Sequence, residues 1–413
     1  MIEAFSVGRV NGRRFFLGRA AALGAMAALP MPAALADTTI RLPLPGGPDT
    51  RQLTTEFPEK GALVLQRARP PLLETRFAVF DQGVLTPNDQ FYVRWHLPVI
   101  PPQVDVTTFR LVVDGHVARP LSLSLADLLT LPRHEIVAVN QCSGNSRGLF
   151  QPRVPGGQWG NGAMGNARWT GFRLRDLLDR AGVQSGAVQV RFNGLERPVL
   201  PATPEFKKSL SIDHARDGEV MVAYLMNGTQ MPLLNGFPLR LVVPGWYSTY
   251  WTKMLSHIEV LDQPDDNFWM KTAYRIPDTP GAAVSPTETG YKTVPINRMN
   301  PRAFITNLQT GDIVQAGATV PVRGIAFGGD CGVAGVSLST DGGTTWHATQ
   351  LGPDSGKYSF RRWQSSVTAP SSGVLTLSVR CTNTNHVPQS WTPIWNPGGY
   401  MRNVIETTTL NIA

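Results

Sequence analysis

The residues best equipped for chemistry lie between Glu135 and Phe150, where the chain reads Glu-Ile-Val-Ala-Val-Asn-Gln-Cys-Ser-Gly-Asn-Ser-Arg-Gly-Leu-Phe. Ile136 to Val139 is a short apolar, β-rich run of the kind that builds a buried strand, and the small polar residues Ser143 to Ser146 cannot continue it. Cys142 therefore stands where a strand ends and a loop opens. A thiol on a rigid strand end, beside a mobile Gly-containing loop and with the cation Arg147 five residues on, is well placed to exist as thiolate. Thiolate is the ligand that soft metals select. The plainer reading of an isolated cysteine is a small buried hydrophobe, so the neighbours decide. Upstream, Thr86-Pro-Asn-Asp-Gln-Phe-Tyr-Val-Arg-Trp-His-Leu-Pro is a turn signal followed by a strand on which Tyr92, Arg94 and His96 share one face. Polar groups in such a row are costly to bury without partners, and alone they would read as a solvated strand face.

Taken together, Tyr92-Val93-Arg94-Trp95-His96-Leu97-Pro98, the Asn-Gln-Cys-Ser-Gly-Asn-Ser-Arg run around Cys142, and Trp159 and Trp169 resemble the sulfite oxidase family of molybdenum enzymes. The resemblance covers almost the whole chain after residue 76. It implies that Cys142 binds molybdenum alongside the dithiolene of one molybdopterin. It also implies that Arg94 touches the sulfite oxygens, that Tyr92, Val93, Arg94, Trp95 and His96 contact the pterin, and that Trp159 lines the substrate pocket. Asn235-Gly-Phe-Pro-Leu-Arg240-Leu-Val-Val-Pro-Gly245 resembles the family's Gly-Phe-Pro-x-Arg-x-x-x-Pro-Gly, which makes Asn235 and Arg240 cofactor contacts, with Arg240 on the phosphate. Tyr250-Trp251-Thr252-Lys253 matches the Lys-containing strand that holds the pterin. The chemistry suits the assignment, since a guanidinium grips phosphate through parallel hydrogen bonds and a lysine adds a point charge. Tyr274 falls where the family keeps its active-site tyrosine, a phenol able to assist proton movement. Arg402, in Gly399-Tyr-Met-Arg-Asn, matches the arginine that the family's second domain sends into the anion pocket, where it would join Arg94 and Arg147 in neutralising a dianion.

The activity so implied is oxidation of sulfite to sulfate by oxygen-atom transfer at a molybdenum-molybdopterin centre. Chemically different readings are a molybdenum-dependent reductase of sulfoxides, of methionine sulfoxide reductase type, and a non-enzymatic binding protein built on a sandwich. The Arg-rich pocket and C-terminal sandwich weigh against the first, and Cys142 with its neighbours against the second. A plant-type nitrate reductase is expected to bring haem and flavin domains, for which these 413 residues leave no room. Cys142, Cys331 and Cys381 form no Cys-x-x-Cys, so the expectation is no haem in this chain and a separate c-type cytochrome as electron acceptor.

Several elements must position these groups. At 42% hydrophobic, the 413 residues are enough for two folded domains with proper cores. Residues 1–36 carry Gly12-Arg13-Arg14-Phe15-Phe16-Leu17, a short apolar segment and Ala34-Leu35-Ala36, which reads as a cleaved twin-arginine signal and implies a periplasmic protein. An uncleaved anchor is the alternative, against which stand Pro30 and Pro32. No later run of about 18 apolar residues occurs, so no membrane span is expected in the mature chain. The signal holds +3 of the total +8, and the remaining +5, spread without Lys/Arg runs, suits a small anion or acidic partner rather than nucleic acid.

Residues 37–75 read as an arm without chemistry, and 76–295 as the cofactor domain, including a Pro/Gly-rich linker from Ile276 to Pro295. Within that domain Phe109 to Val113 reads as a strand, Leu123 to Leu129 as a short helix, and Trp169 to Gly182 as an amphipathic helix with a glycine cap. Residues 296–413 alternate Gly turns with strands at Val320–Phe327, Val333–Ser339 and Val374–Cys381, an immunoglobulin-like sandwich. Its Ser339-Thr-Asp-Gly-Gly-Thr-Thr-Trp346 resembles the signature of the family's dimerisation domain, which implies a homodimer or a stable cytochrome complex. The fold class expected is α+β. Whether Cys331 and Cys381 are bridged stays open, an exported protein permitting it.

Overall fold

The computed structural model describes residues 38–413, so the export signal read at 1–36 lies outside the described residues. Its first sheet corrects the reading of 37–75 as a featureless arm. Strands β1 (Thr39–Arg41), β2 (Thr50–Thr54), β3 (Leu63–Arg67), β4 (Leu72–Glu74) and β5 (Val93–Arg94) pair in that order. Leu63, Leu73, Val93 and Trp95 bury one face of it against Leu234 and Met254. These strands are too short and too interrupted by Pro and Gly for a periodicity to register in sequence.

The next elements are β6 (Leu111–Gly115), β7 (Leu121–Leu123), α1 (Leu125–Leu128), β8 (Arg133–Gln141), β9 (Met164–Arg173) and α2 (Leu174–Ala181). They are followed by β10 (Gln189–Asn193), β11 (Lys207–Ser211), α3 (Ile212–Ala215), β12 (Met221–Met226), β13 (Thr229–Gln230), β14 (Arg240–Val242), β15 (His257–Leu261) and α4 (Phe268–Lys271). One sheet runs β11-β10-β15-β6-β7; the other runs β13-β12-β9-β8, with β14 added on β12. The expected helix over 169–182 is only half helix. Trp169 to Arg173 close β9, where hydrogen bonding to β8 on one side and β12 on the other outweighs the helical spacing. From Leu174 the helix forms as read, with Leu174, Leu177, Leu178 and Ala181 buried and Gly182 closing it at φ 72°.

The stretch 276–295 is a strap rather than a free linker. Strands β16 (Arg275–Pro277) and β17 (Thr293–Pro295) pair, and Ile296 N–H donates to Tyr274 O at 2.8 Å. Strands β18 (Arg302–Ile305), β19 (Ile313–Val314), β20 (Thr319–Phe327), β21 (Val333–Ser339), β22 (His347–Ala348), β23 (Gln350–Leu351), β24 (Arg361–Thr368), β25 (Val374–Asn383) and β26 (Glu406–Ile412) complete the chain. Their sheets, β18-β20-β24-β23 and β19-β26-β25-β21-β22, enclose Val322, Val336, Leu338, Trp363, Leu377, Val379 and Cys381 as a sandwich core. The molecule is thus mostly β with few short helices, a mixed-sheet domain followed by a β-sandwich, of class α+β.

Cys331 and Cys381 are free buried thiols, not a bridge. Cys381 Sγ points at Phe327 O, 3.6 Å away, and Cys331 Sγ at Gly328 O, 3.9 Å away. Burial pushes the Cys381 thiol up, so it stays protonated. No helix of the described residues is long and apolar enough to cross a membrane.

Candidate active site

Cys142 follows the last residue of β8, its N–H donating to Ala163 O at 2.9 Å, and its side chain is 5% exposed. The loop after it is fixed, not mobile. Asn145 N–H donates to Cys142 O at 3.0 Å, Ser146 N–H to Gly160 O at 2.7 Å, and Arg147 N–H to Gly144 O at 3.0 Å. Asn145 spans the turn, donating to Gln141 Oε1 and accepting from Ala163 N–H. Arg147 folds back along this loop, donating from Nε and Nη2 to Gly398 O at 3.1 and 2.9 Å and lying 5.1 Å from the Tyr400 ring centroid. A Cβ on Gly144 would stand 2.5 Å from the guanidinium carbon and one on Gly156 2.9 Å from Nη1, so both glycines are needed for Arg147 to occupy this position.

The strand before it divides its residues between two faces. Tyr92, Arg94 and His96 line the inner cavity that also exposes Cys142, whereas Val93 and Trp95 point into the core of the first sheet. Val93 and Trp95 side chains therefore do not face the pocket, and only their backbone could meet a cofactor. Tyr92 donates to Asn140 Oδ1 at 2.7 Å. His96 stacks on Phe206 with centroids 3.5 Å apart and shares a 2.8 Å hydrogen bond between Nε2 and the Tyr274 hydroxyl. Burial first, then Arg94, holds His96 well below the usual imidazole range, so the ring is neutral. Glu196 Oε1 lies 3.9 Å from Nδ1, which favours the proton on that nitrogen and leaves Nε2 to accept from Tyr274.

The inner cavity continues over Asn140, Ser143, Asn235, Arg240, Ser248, Thr249 and Lys253. Arg240 donates to Asn235 O at 2.8 Å and Asn140 Oδ1 at 3.2 Å, with its guanidinium against the Trp169 and Trp251 rings. Asn235 spends its side chain internally, accepting from Lys60 and donating to Tyr92 O, so it positions Arg240 and Tyr92 more than it offers a contact. Trp251 is likewise a support, its indole N–H donating to Trp246 O at 3.0 Å, and Thr252 is buried outside the cavity lining. Residues 250–253 are not a strand. A 3₁₀ turn at Ser248–Tyr250 and a single bridge between Arg240 and Lys253 bring the lysine in.

Charge balance identifies what this cavity is built for. Burial drives Lys253 down to about 7 and Arg240 down to about 10, and among the described residues neither has a carboxylate within ion-pair distance. Arg94 Nη1, Asn140 Nδ2, Ser143 Oγ, Arg240 Nε and Thr249 Oγ1 are buried without a hydrogen-bond partner. Buried cations and donors left open fit an anionic ligand with several oxygens, as the phosphate-bearing molybdopterin is. Among the described residues no group of three or more His, Cys, Asp or Glu could hold a metal ion. Cys142 stands outside any such group, an environment that would suit a metal whose remaining ligands come from a cofactor.

A second, outer cavity of about 840 Å³ opens above the thiol, and Cys142, Arg94 and Tyr274 line both. Arg51, Arg67, Arg147, Trp159, Trp269 and Tyr400 are among its other wall residues. Arg402 is not among them. It pairs with Glu406 at 3.1 Å in the sandwich, which corrects its placement in the anion pocket. Met401, at φ 64°, turns the chain so that Tyr400 points to the cavity and Arg402 away from it. Tyr400 stacks on Tyr274 with centroids 5.5 Å apart and rings 16° from parallel.

Other contributors carry weak sequence signals. Asn140 lies two residues before Cys142 in the quoted motif, but Lys60, Arg51, Arg67 and Glu74 come from the first sheet, in a stretch without a motif. Glu74 is a fully buried carboxylate whose pKa burial raises, and it accepts from Gly160 and Gly162 N–H, setting the Trp159 loop.

An anion cradle beneath a lone buried thiol suits a molybdopterin-dependent oxidoreductase, and comparison with known proteins agrees on the class. Residues 96–269 match the oxidoreductase molybdopterin binding domain and residues 293–410 the Mo-co oxidoreductase dimerisation domain. The sequence is 34% identical to human mitochondrial sulfite oxidase over 363 residues, which are 83% of this chain and 64% of that one. It is 32% identical to sulfite oxidase of Gallus gallus over 376 residues, 86% of this chain and 80% of that one. The sulfane dehydrogenase SoxCD from Paracoccus pantotrophus shares the fold, with a TM-score of 0.70 at 21% identity over 88% of this chain and 90% of that one. The chain belongs to the sulfite oxidase family of molybdenum enzymes.

Proposed function

We propose that the protein oxidises sulfite to sulfate and passes the electrons singly to a c-type cytochrome carried by another chain. The observation that supports this most is the convergence of Arg94 and Arg147 on a cavity floored by Cys142. Sulfite is a small dianion, and charge-assisted hydrogen bonds from two guanidiniums both bind and orient it. The balance is sulfite plus water giving sulfate, two protons and two electrons. When bound, the molybdenum-molybdopterin group supplies the two-electron oxygen-transfer chemistry, held by Cys142 Sγ at the metal and by Arg240, Lys253 and the open donors of the inner cavity.

The chain's own residues set the rest. Arg147 is immobilised by Gly398 O, and the sandwich thereby fixes the anion position. Tyr274 stays protonated because burial raises its phenol, and it donates to neutral His96 Nε2. Its oxygen then faces the cavity as a hydrogen-bond acceptor toward the substrate side. Trp159, held by Glu74 through its loop, excludes water from the floor of the cavity. A neutral sulfoxide would gain little from this arginine-lined wall. The reading extends to export by the twin-arginine route to the periplasm and to pairing through the sandwich, either with a second copy or with the cytochrome.

Metal analysis followed by assay of sulfite, nitrate and methionine sulfoxide, with cytochrome c or a viologen dye as redox partner, tests it. One molybdenum per chain with sulfite-dependent cytochrome c reduction is expected. Reduction of nitrate or sulfoxide by an enzyme inert to sulfite would overturn the reading.

A further inference from the structure

We infer that this site also oxidises organic sulfinates to sulfonates, an inference that rests on the sulfite reading and extends its substrate class. The first observation is size. An outer cavity of about 840 Å³, of which a bound metal next to Cys142 would take a share, lies within the roughly 300–1,000 Å³ range of sites that enclose ligands with an organic body and is larger than an inorganic oxyanion needs. The second is the wall chemistry. Trp159, Trp269, Tyr274 and Tyr400 interleave with Arg94 and Arg147, Tyr400 under the Arg147 guanidinium and Tyr274 5.8 Å from that of Arg94. Trp159, Tyr274 and Tyr400 already serve the sulfite reading, but Trp269 has no part in it, and aromatic surface of this kind holds an apolar substituent attached to an anionic head.

The third observation is Phe268. It stands at the rim of this cavity 41% exposed, although it is packed edge-on against Trp269 at 5.2 Å. The Asn267 side chain caps the turn that carries it, accepting from Trp269 N–H at 2.8 Å, so the ring is held in place rather than left over from a frayed end. A sulfinate presents the same reacting end as sulfite, a sulfur lone pair flanked by oxygens, with a carbon group replacing one oxygen. Its head would lie between Arg94 and Arg147 and its organic group along Trp269 and Phe268. In the step, a sulfur–oxygen bond forms at the sulfur lone pair and no carbon–sulfur bond breaks. Sulfinate plus water gives sulfonate, two protons and two electrons, and the electrons go to a one-electron acceptor, ferricyanide in the assay.

The test uses the purified holoenzyme with ferricyanide, supplied in parallel with sulfite and with benzenesulfinate, and calorimetry of benzenesulfonate binding with sulfate as competitor. Wild type and Phe268→Ser are compared. Expected are conversion of benzenesulfinate to benzenesulfonate and benzenesulfonate binding that sulfate displaces. In Phe268→Ser the KM for benzenesulfinate should rise about five- to tenfold, with sulfite constants within about twofold. Normal sulfite turnover with neither oxidation of benzenesulfinate nor binding of benzenesulfonate overturns this inference and leaves the sulfite reading standing. Equal KM changes for both substrates in Phe268→Ser also overturn it. Turnover of neither substrate at full molybdenum loading overturns both readings.

Discussion

Arg240 in the cofactor domain and Arg302 in the sandwich are buried to nearly the same degree, 4% and 1% exposed, yet their surroundings differ in one respect. Arg302 has a carboxylate, donating to Glu406 at 2.6 Å, and it also donates to Ser146 Oγ at 3.0 Å while lying over the Phe304 ring. Arg240 has only a carbonyl, an amide oxygen and two indole faces, and Lys253 beside it has the Trp95 ring at 4.4 Å. An ion left uncompensated in a protein interior costs several kcal/mol. A cation neutralised by its own chain serves the fold, whereas a buried Arg and Lys with no carboxylate in ion-pair contact suit a place where the charge arrives with a ligand. Arg302 adds a further point: through Ser146 it ties the sandwich to the loop that carries Cys142 and Arg147.

The comparison can be broken at several levels. The largest effect belongs to the thiol between the two regions. Cys142→Ser substitutes a hard, weakly acidic hydroxyl for a soft thiolate and should abolish sulfite oxidation with an unchanged unfolding transition. Full activity in that variant would remove the metal assignment. Next come the two arginines themselves. Glu406→Gln strands the Arg302 charge and should lower stability by about 3 kcal/mol in urea unfolding. Arg240→Met should leave the cofactor-free protein as stable as wild type or more so, while molybdenum content falls at least tenfold. Equal destabilisation by both changes would show that Arg240 is structural after all.

For the outer cavity, Arg94→Gln and Arg147→Gln each remove one charge-assisted contact of about 1.5–3 kcal/mol, so kcat/KM for sulfite should fall roughly ten- to a hundredfold or somewhat more, mostly in KM, at full metal loading. Wild-type constants in both variants would mean that the anion binds elsewhere. A smaller effect concerns pH. Burial lowers Lys253 to about 7 in the folded protein against an ordinary value of 10.5, so between these the unfolded chain holds a proton that the native site has released. Stability of the cofactor-free protein should therefore rise with pH across that window. Loading with cofactor should flatten the slope, because a bound phosphate restores the charged lysine. An identical slope in both forms would count against Lys253 as a phosphate contact. Smallest of all, Arg402→Gln should change sulfite kcat/KM by less than about twofold, since Arg402 is spent on Glu406.

Much of this was legible in the residue order. The strand ending at Cys142, the alternation that brings Tyr92, Arg94 and His96 to one cavity, the glycine cap at Gly182 and the sandwich strands at Val320, Val333 and Val374 all follow from period-two and capping rules that act over a few neighbouring residues. What the sequence alone could not decide were matters of partnership. Trp169 to Arg173 carry a helical spacing but lie between two strands, and residues 39–74 form a sheet only because their short segments find one another and the Leu234 region. The identities of Arg94, Arg147, Arg240, Arg302 and Arg402 are equally plain in the sequence, and nothing local distinguishes them. Whether Arg302 meets a carboxylate and Arg240 is left to wait for a ligand depends on atoms about a hundred residues away, brought within about 3.2 Å only by the tertiary fold.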